Sequence, residues 1–283
     1  MPPKIAAAVA TILWGFTYII TVTMLPQNPM FIAAVRAAGA AIPLLVLARE
    51  FLPREWWFKI IVLGTLNCGL FFGLLFIAAI RLPGGVAATF QALGPLFMVL
   101  LAWPMLGFKP SRLKVAAVAL GAIGVAMIVL KGDASIDLWG VAAALGSALS
   151  VAIGGLLVNK WGRPKSLLAF TGWQLLVAAV ELSLVAIWLG DIPSSLDMTN
   201  IAGLAIVALM LTAVTFVLWF KAIQGAGAAA IAPLFLLTPL TAFVLDAIFR
   251  GVVPSWMQAA GVSIVIISLL YSQFIDRKAL APR

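Results

Sequence analysis

Apolar runs of membrane-spanning length follow one another along nearly the whole chain, and this succession limits what it can fold into. A helix needs about 20 apolar residues to cross the hydrocarbon core of a bilayer. Ten stretches qualify, at roughly 5–24, 29–48, 57–80, 83–107, 111–130, 137–160, 165–189, 199–221, 226–250 and 255–274. Only 10% of the 283 residues are charged and 64% are hydrophobic, against ~25% charged and ~45–50% apolar in soluble domains. So few charges cannot clothe a water-soluble surface, and a soluble globule is excluded. Barrel strands would be short segments of alternating polarity. These runs are continuous and rich in Ala, Leu and Gly, which predicts an all-α polytopic membrane protein. The first run, behind Lys4, exceeds a signal-peptide h-region and no small-residue cleavage site follows it, so it reads as a retained span.

The charges lie in the gaps between runs and predict an orientation. On one side fall Lys4, Arg49, Arg54, Lys59, Lys109, Arg112, Lys114, Lys160, Arg163, Lys165, Lys221, Arg277, Lys278 and Arg283; on the other, Arg81, Lys131 and Arg250. The richer side is cytoplasmic by the positive-inside rule, which puts both termini inside, N-in and C-in. The same distribution accounts for a pI near 10.2 without nucleic acid as a partner. Trp56, Trp57, Trp139, Trp161, Trp188, Trp256 and Tyr271 fall near span ends, where aromatic side chains anchor at the bilayer interface. Cys68 is the single cysteine and there is no histidine. That excludes an internal disulfide, histidine-based hydrolysis and the usual zinc sites. The chain has neither GxxxxGK[ST] nor GxGxxG, and Asp246 is the single aspartate in the interior of a span. An enzyme is therefore not expected, nor are a metal or a cofactor.

Sliding the chain on itself by 144 residues aligns Phe76 with Phe220, Pro95 with Pro239, Gly107 with Gly251, and Pro110-Ser111 with Pro254-Ser255, without a gap. The repeating unit is five spans, 1–130 and then 131–283. Five is odd, so the second copy enters the membrane upside down, giving the inverted repeat common among secondary transporters.

With Trp14-Gly15, Arg36, Gly94-Pro95-Leu96, Thr238-Pro239-Leu240 and the two Gly turns followed by Pro-Ser, the chain resembles the drug/metabolite transporter superfamily and its ten-helix EamA-type permeases. The resemblance covers essentially the whole chain. It is similar in particular to the aromatic amino-acid exporter branch, whose members also pass other amino acids and cationic drugs such as methyl viologen. The resemblance implies a bacterial inner-membrane exporter with a central cavity.

Pro95 and Pro239 stand near the middles of spans 4 and 9, where each leaves a carbonyl, on Gln91 or Phe235, without its helical donor. Paired interruptions of this kind in two repeats point to a carrier site, although each alone could be a plain kink. Pro43 and Pro104 read as packing kinks. Trp14 with Tyr18, Asn67 with Phe71, Thr212 with Thr215 and Trp219, and Ser147 with Ser150 each share a helix face. Those faces are expected to line the cavity; hydroxyls and amides that merely bridge helices are the alternative. The candidate substrate residues are thus Trp14, Tyr18, Asn67, Phe71, Gln91, Pro95, Ser147, Ser150, Thr215, Trp219, Phe235 and Pro239. Apolar walls with a few amides would suit a flat zwitterion.

Ionisable residues inside a span carry a functional hypothesis by default. Arg36 in span 2 and Glu181 in span 7 occupy partner spans, and either pair with one another or leave Glu181 to accept a coupling proton. Asp246 has Arg250 four residues later, which predicts a local ion pair. Gly69 and Gly73 in span 3 and Gly121 and Gly124 in span 5 read as close helix packing. The expected function is a secondary carrier exporting amino acids by alternating access around a midplane cavity, with the lipid bilayer as surroundings and protons as a candidate coupling ion. A carrier of nucleosides, polyamine-like cations or sugars is the alternative, and a channel, which would pass solute far faster, fits broken helices in an inverted repeat less well.

Overall fold

The computed structural model describes residues 1–107, 109–130, 137–162, 164, 166–226 and 232–280. Four of the tallied basic residues, Lys131, Arg163, Lys165 and Arg283, lie outside these. Every regular element among the described residues is helical. We number the helices α1 (Pro3–Met24), α2 (Pro29–Ala48), α3 (Arg54–Arg81), α4 (Gly84–Leu106), α5 (Arg112–Leu130), α6 (Leu138–Trp161), α7 (Leu167–Leu189), α8 (198–226), α9 (232–250) and α10 (Trp256–Leu280). Seven of these segments are long and apolar enough to cross a membrane: α1 to α4, α6, α7 and, within α8, Met198–Trp219. The apolar part of α10 is the shorter Trp256–Tyr271.

Proline and glycine shape the fourth and ninth helices. α4 breaks at residues 92–93, where Leu93 N–H donates to Phe90 O at 3.1 Å and Leu96 N–H to Leu93 O at 2.9 Å. Pro95, which has no N–H, opens the second half of that helix. α9 changes at the same relative place from a 3-10 turn, Ala232–Leu236, to the α-helix Leu237–Arg250 that holds Pro239. Both helices end on a left-handed glycine, Gly107 at φ 77° and Gly251 at φ 65°. Residues with a side chain resist that conformation. The next helices start alike. Ser111 Oγ accepts from Lys114 N–H at 3.3 Å, and Ser255 Oγ from Gln258 N–H at 3.2 Å. In each case a serine hydroxyl satisfies one of the free donors of the first turn. Pro43 and Pro104 lie inside continuous helix.

α3 and α8 each contain a π-helical stretch, Thr65–Leu70 and Ile206–Val214. The wider turn leaves carbonyls poorly matched inside the helix, so they take partners elsewhere.

The most extensive helix contacts join α2 to α7, α5 to α10, α3 to α6 and α1 to α8. Next come α1 with α9, α4 with α6, α4 with α9, α2 with α8 and α3 with α7. Glycines set the close approaches: a Cβ at Gly124 of α5 would lie 2.7 Å from Gly261 O of α10. Small residues let membrane helices pack backbone to backbone in this way. The interior is apolar, with Phe72, Phe76, Phe90 and Leu175 fully buried. The outside is apolar too: Ile42, Leu47, Leu184, Ile187, Ile248 and Phe249 are exposed, as are Trp139, Trp188 and Trp256 near helix ends. In water such a surface would aggregate; in a bilayer it is the lipid-facing one.

Candidate functional site

Gly15 begins the site by letting α1 lie against α9. A Cβ there would fall 2.6 Å from Thr241 Cβ and 2.9 Å from Thr238 O. One turn away, Thr238 Oγ donates to Thr11 O at 2.9 Å, fastening α1 beside the buried Pro239. Trp14 is thereby carried into a group of rings from three helices: its ring lies 5.4 Å from Trp219, 5.7 Å from Phe235 and 6.1 Å from Phe216. Trp219 and Phe235 are 6.1 Å apart. These tilted and edge-on arrangements are the ones aromatic quadrupoles favour. Three predicted residues, Trp14, Trp219 and Phe235, meet here. Phe216 was not among them, although it follows Thr212 by one turn on the stripe the sequence displays. Tyr18 is buried one turn along α1 from Trp14.

The polar candidates form a second group, on α3, α6 and α7. Asn67 Nδ2 donates to Gln174 Oε1 at 2.9 Å, and Gln174 Nε2 to Phe170 O at 3.0 Å. Ser147 Oγ donates to Phe71 O at 2.9 Å and Ser150 Oγ to Leu66 O at 2.6 Å, supplying donors to carbonyls of and beside the π-helical stretch. Thr215 Oγ donates within its own helix, to Leu211 O at 2.9 Å and Thr212 O at 3.0 Å. The hydroxyls of Ser147 and Ser150 thus take the bridging role open to them in membrane helices, whereas that of Thr215 does not leave its helix. Phe71 packs on Phe72 with centroids 5.1 Å apart. Gln91 is half-buried at the break of α4. The backbone of Pro95 lies in that same helix; its side chain lies outside the described residues.

The intramembrane charges are each held by a neighbouring helix. Arg36 Nε donates to Thr212 Oγ1 at 2.8 Å, and its guanidinium lies over the Phe72 ring, 4.4 Å from the centroid. Glu181 Oε1 accepts from Thr65 Oγ1 at 2.6 Å, and a Cβ at Gly69 would be 2.8 Å from Glu181 Oε2. The direct Arg36–Glu181 pair entertained from the sequence is therefore replaced by two threonine contacts, each on a helix with a π-helical stretch. Gly69 makes room for a carboxylate in addition to packing. Asp246 does pair with Arg250, at 3.4 Å, but Asp246 Oδ2 also accepts from Gly85 N–H at 3.0 Å and so caps α4. The sequence reading missed this cap. Its signal is a helix that starts at Pro83-Gly84-Gly85 with no capping side chain of its own.

Two hollows stand out, and neither coincides with the predicted residues. One of about 20 Å³ lies among Pro83, Phe243, Asp246 and Pro254. The other, an open apolar groove of about 340 Å³, runs between α2 and α8 past Val35, Gly39 and Leu204. The expected midplane cavity is neither of these two, and the rings of Trp14, Phe216, Trp219 and Phe235 pack on one another.

Comparison with known proteins adds a family. The EamA-like transporter family matches residues 2–130 and 138–273. The chain is 33% identical over 289 residues to protein PecM of Dickeya dadantii, covering 100% of this chain and 97% of that one. It is 28% identical to the uncharacterized transporter YvbV of Bacillus subtilis, over 93% of this chain and 88% of the other. It is 25% identical to a probable amino-acid metabolite efflux pump of Salmonella typhimurium, over 95% and 93%. A solved crystal structure shares the fold with a TM-score of 0.65, at 17% identity and 99% coverage of both chains. With helices of spanning length, an apolar exterior and this family match over nearly all its residues, the chain belongs to the EamA-like transporter family and is a multi-pass membrane transporter.

Proposed function

We propose that the protein is a secondary carrier that exports amino acids, aromatic ones foremost, across the inner membrane of a bacterium. In this reading ten spans form two inverted five-helix repeats, 1–130 and 131–283, with both termini in the cytoplasm, and alternate access to one central site. The observation that carries the substrate reading is the ring group of Trp14, Phe216, Trp219 and Phe235, gathered from α1, α8 and α9 beside the change of helix at Leu237. An aromatic guest that takes the place of one ring keeps the others in favourable contact.

The repeat has its own support. Adding five to each helix number turns the contact of α1 with α8 into that of α6 with α3, α1 with α9 into α6 with α4, and α2 with α8 into α7 with α3, all of which occur. The π-helical stretches fall on α3 and α8, which correspond. The family match divides into 2–130 and 138–273, at the expected boundary. The Salmonella relative's name supports amino-acid export.

The test is uptake of radiolabelled phenylalanine and tryptophan into liposomes holding the purified protein, with and without a pH gradient. Saturable uptake, competed by unlabelled aromatic amino acids and faster with the gradient, is expected. Uptake no greater than in empty liposomes for every amino acid tried would overturn the substrate reading. Single-channel currents would overturn the carrier reading.

A further inference from the structure

Arg36 is only 4% exposed, on α2, which packs against α7 and α8 at the heart of the bundle. A buried guanidinium is costly unless its charge is paired and its donors are used. Its Nε is used, on Thr212 Oγ1. That hydroxyl in turn donates to Val207 O at 2.8 Å, which fixes its lone pairs toward the arginine. Phe72 and Phe76 face the guanidinium carbon at 4.4 and 5.6 Å from their ring centroids. Nη1 is fully buried and has no hydrogen-bond partner among the described residues. Glu181 is not a partner of Nη1 either; its Oε1 accepts from Thr65. The cation is therefore oriented and anchored with a donor left over.

The helices around this cation also carry the ring group, one turn away. On α8, Thr212 binds Arg36 and Phe216, four residues on, packs on Trp14. On α1, Trp14 carries the ring group and Tyr18, one turn on, is buried. One helical turn is about 5.4 Å. In an aromatic amino acid, three carbon–carbon bonds of about 1.5 Å join the carboxylate carbon to the ring, so one molecule reaches from the cation to the rings.

We propose that Arg36 receives the carboxylate of the transported amino acid through Nη1, while the side chain of the same molecule enters among Trp14, Phe216 and Trp219. This rests on the amino-acid reading above and adds which group of the substrate is recognised. Guanidinium and carboxylate form the strongest of the neutralising hydrogen-bonded pairs available to a protein. A solute that offers a cation without a carboxylate meets the positive charge of Arg36 and binds more weakly. The site then selects amino acids against amines of the same shape.

Competition against labelled phenylalanine uptake in proteoliposomes tests the assignment, with phenylalanine and phenylalaninamide, which lacks the carboxylate, as competitors. Each variant is also titrated against labelled phenylalaninamide. Wild type is expected to prefer phenylalanine. Arg36→Gln should weaken phenylalanine about tenfold to a hundredfold, the range of one hydrogen bond to a charged group, and leave phenylalaninamide unchanged or improved. If Arg36→Gln does not accumulate, Arg36→Lys, which keeps the charge and loses the fork, should weaken phenylalanine several-fold and spare the amide. Glu181→Gln should leave the preference intact. Equal weakening of both ligands, or of neither, or a wild type that does not distinguish them, would overturn the role of Arg36 while leaving amino-acid export standing. Failure of the wild type to take up phenylalanine would overturn the export reading and this assignment with it.

Discussion

Asp246 matters to stability as the cap of α4 more than as the partner of Arg250. The first N–H groups of a helix have no partner within it, and α4 begins at Gly84 directly after a proline. Gly85 N–H donates to Asp246 Oδ2 at 3.0 Å from α9, and Asp246 is 1% exposed. A hydrogen bond to a buried charge contributes about 1.5–3 kcal/mol, with a further few tenths from the positive end of the helix. Arg250 is 3.4 Å away with 34% of its side chain exposed, so water screens the pair and it contributes about 0–1 kcal/mol. Asp246→Ala should therefore cost about 2–4 kcal/mol, whereas Asp246→Asn, which keeps an acceptor for Gly85, should cost about 1 kcal/mol. Arg250→Ala should cost less than about 1 kcal/mol. The assay is thermal unfolding in detergent, followed by tryptophan fluorescence, with Asp246→Ala lowering the midpoint by on the order of 10 °C. Equal losses from Arg250→Ala and Asp246→Ala would refute the cap and restore the ion pair as the main contribution. So would an Asp246→Asn midpoint as low as that of Asp246→Ala.

Four further outcomes follow from the same geometry. At equal expression, Pro95→Ala and Pro239→Ala should lower the rate of phenylalanine uptake several-fold more than Pro43→Ala, which lies in unbroken helix; equal effects would reduce all three prolines to a folding role. Trp14→Ala and Gln91→Ala should change the rank order of competing amino acids in the liposome assay, where a purely structural role would scale every substrate alike. Gly15→Val should push α1 off α9, since even a Cβ falls 2.6 Å from Thr241 Cβ. The clash should cost about 1–3 kcal/mol, seen as a lower midpoint in the same thermal assay. Glu181→Gln should abolish the acceleration of uptake by a pH gradient and leave exchange without a gradient, if Glu181 carries the coupling proton; retained acceleration excludes it.

The fold was legible in the sequence wherever one strong local rule acts. Long apolar runs can only be helices in lipid, and Gly107 and Gly251, each followed by Pro-Ser, mark helix ends that adopt matching conformations. The ring group was half legible. The turn from Tyr18 to Trp14 and the stripe through Thr212 and Trp219 show which faces are special, but not that the faces of α1 and α8 meet each other through Phe216. What could not be read are choices made between helices. Asp246 has a visible partner at i+4 in Arg250, yet its shorter hydrogen bond is to Gly85, 161 residues away. The π-helical stretches at Thr65–Leu70 and Ile206–Val214 leave no pattern in residue type, because they differ from α-helix only in which carbonyl each N–H finds. A pair between Arg36 and Glu181 stood as one of two alternatives because the sequence does not show that those stretches place Thr212 and Thr65 within reach.

Equivalent places in the two proposed repeats carry unequal chemistry, and this bears on how such a carrier would move. α1, α8 and α9 correspond to α6, α3 and α4. α1 meets α8 and α9 through tilted rings, whereas α6 is tied to α3 by Ser147 Oγ and Ser150 Oγ donating to Phe71 O and Leu66 O. A ring contact contributes about 0.5–1.5 kcal/mol beyond area burial, and separating it leaves no polar group without a partner. Separating α6 from α3 would break both hydrogen bonds and leave two serine hydroxyls to find new partners in an apolar interior, which is costly unless water enters with the motion. Ring contacts can also be exchanged one for one with an aromatic guest, so the loss on opening is restored on loading. The serine bonds offer no such exchange. Within the alternating-access reading, the α1–α8–α9 side is therefore the one that a solute can open, and the α3–α6 side is the one that needs hydration to part. Substrate binding would then act first on the aromatic side, with the opposite opening dependent on water.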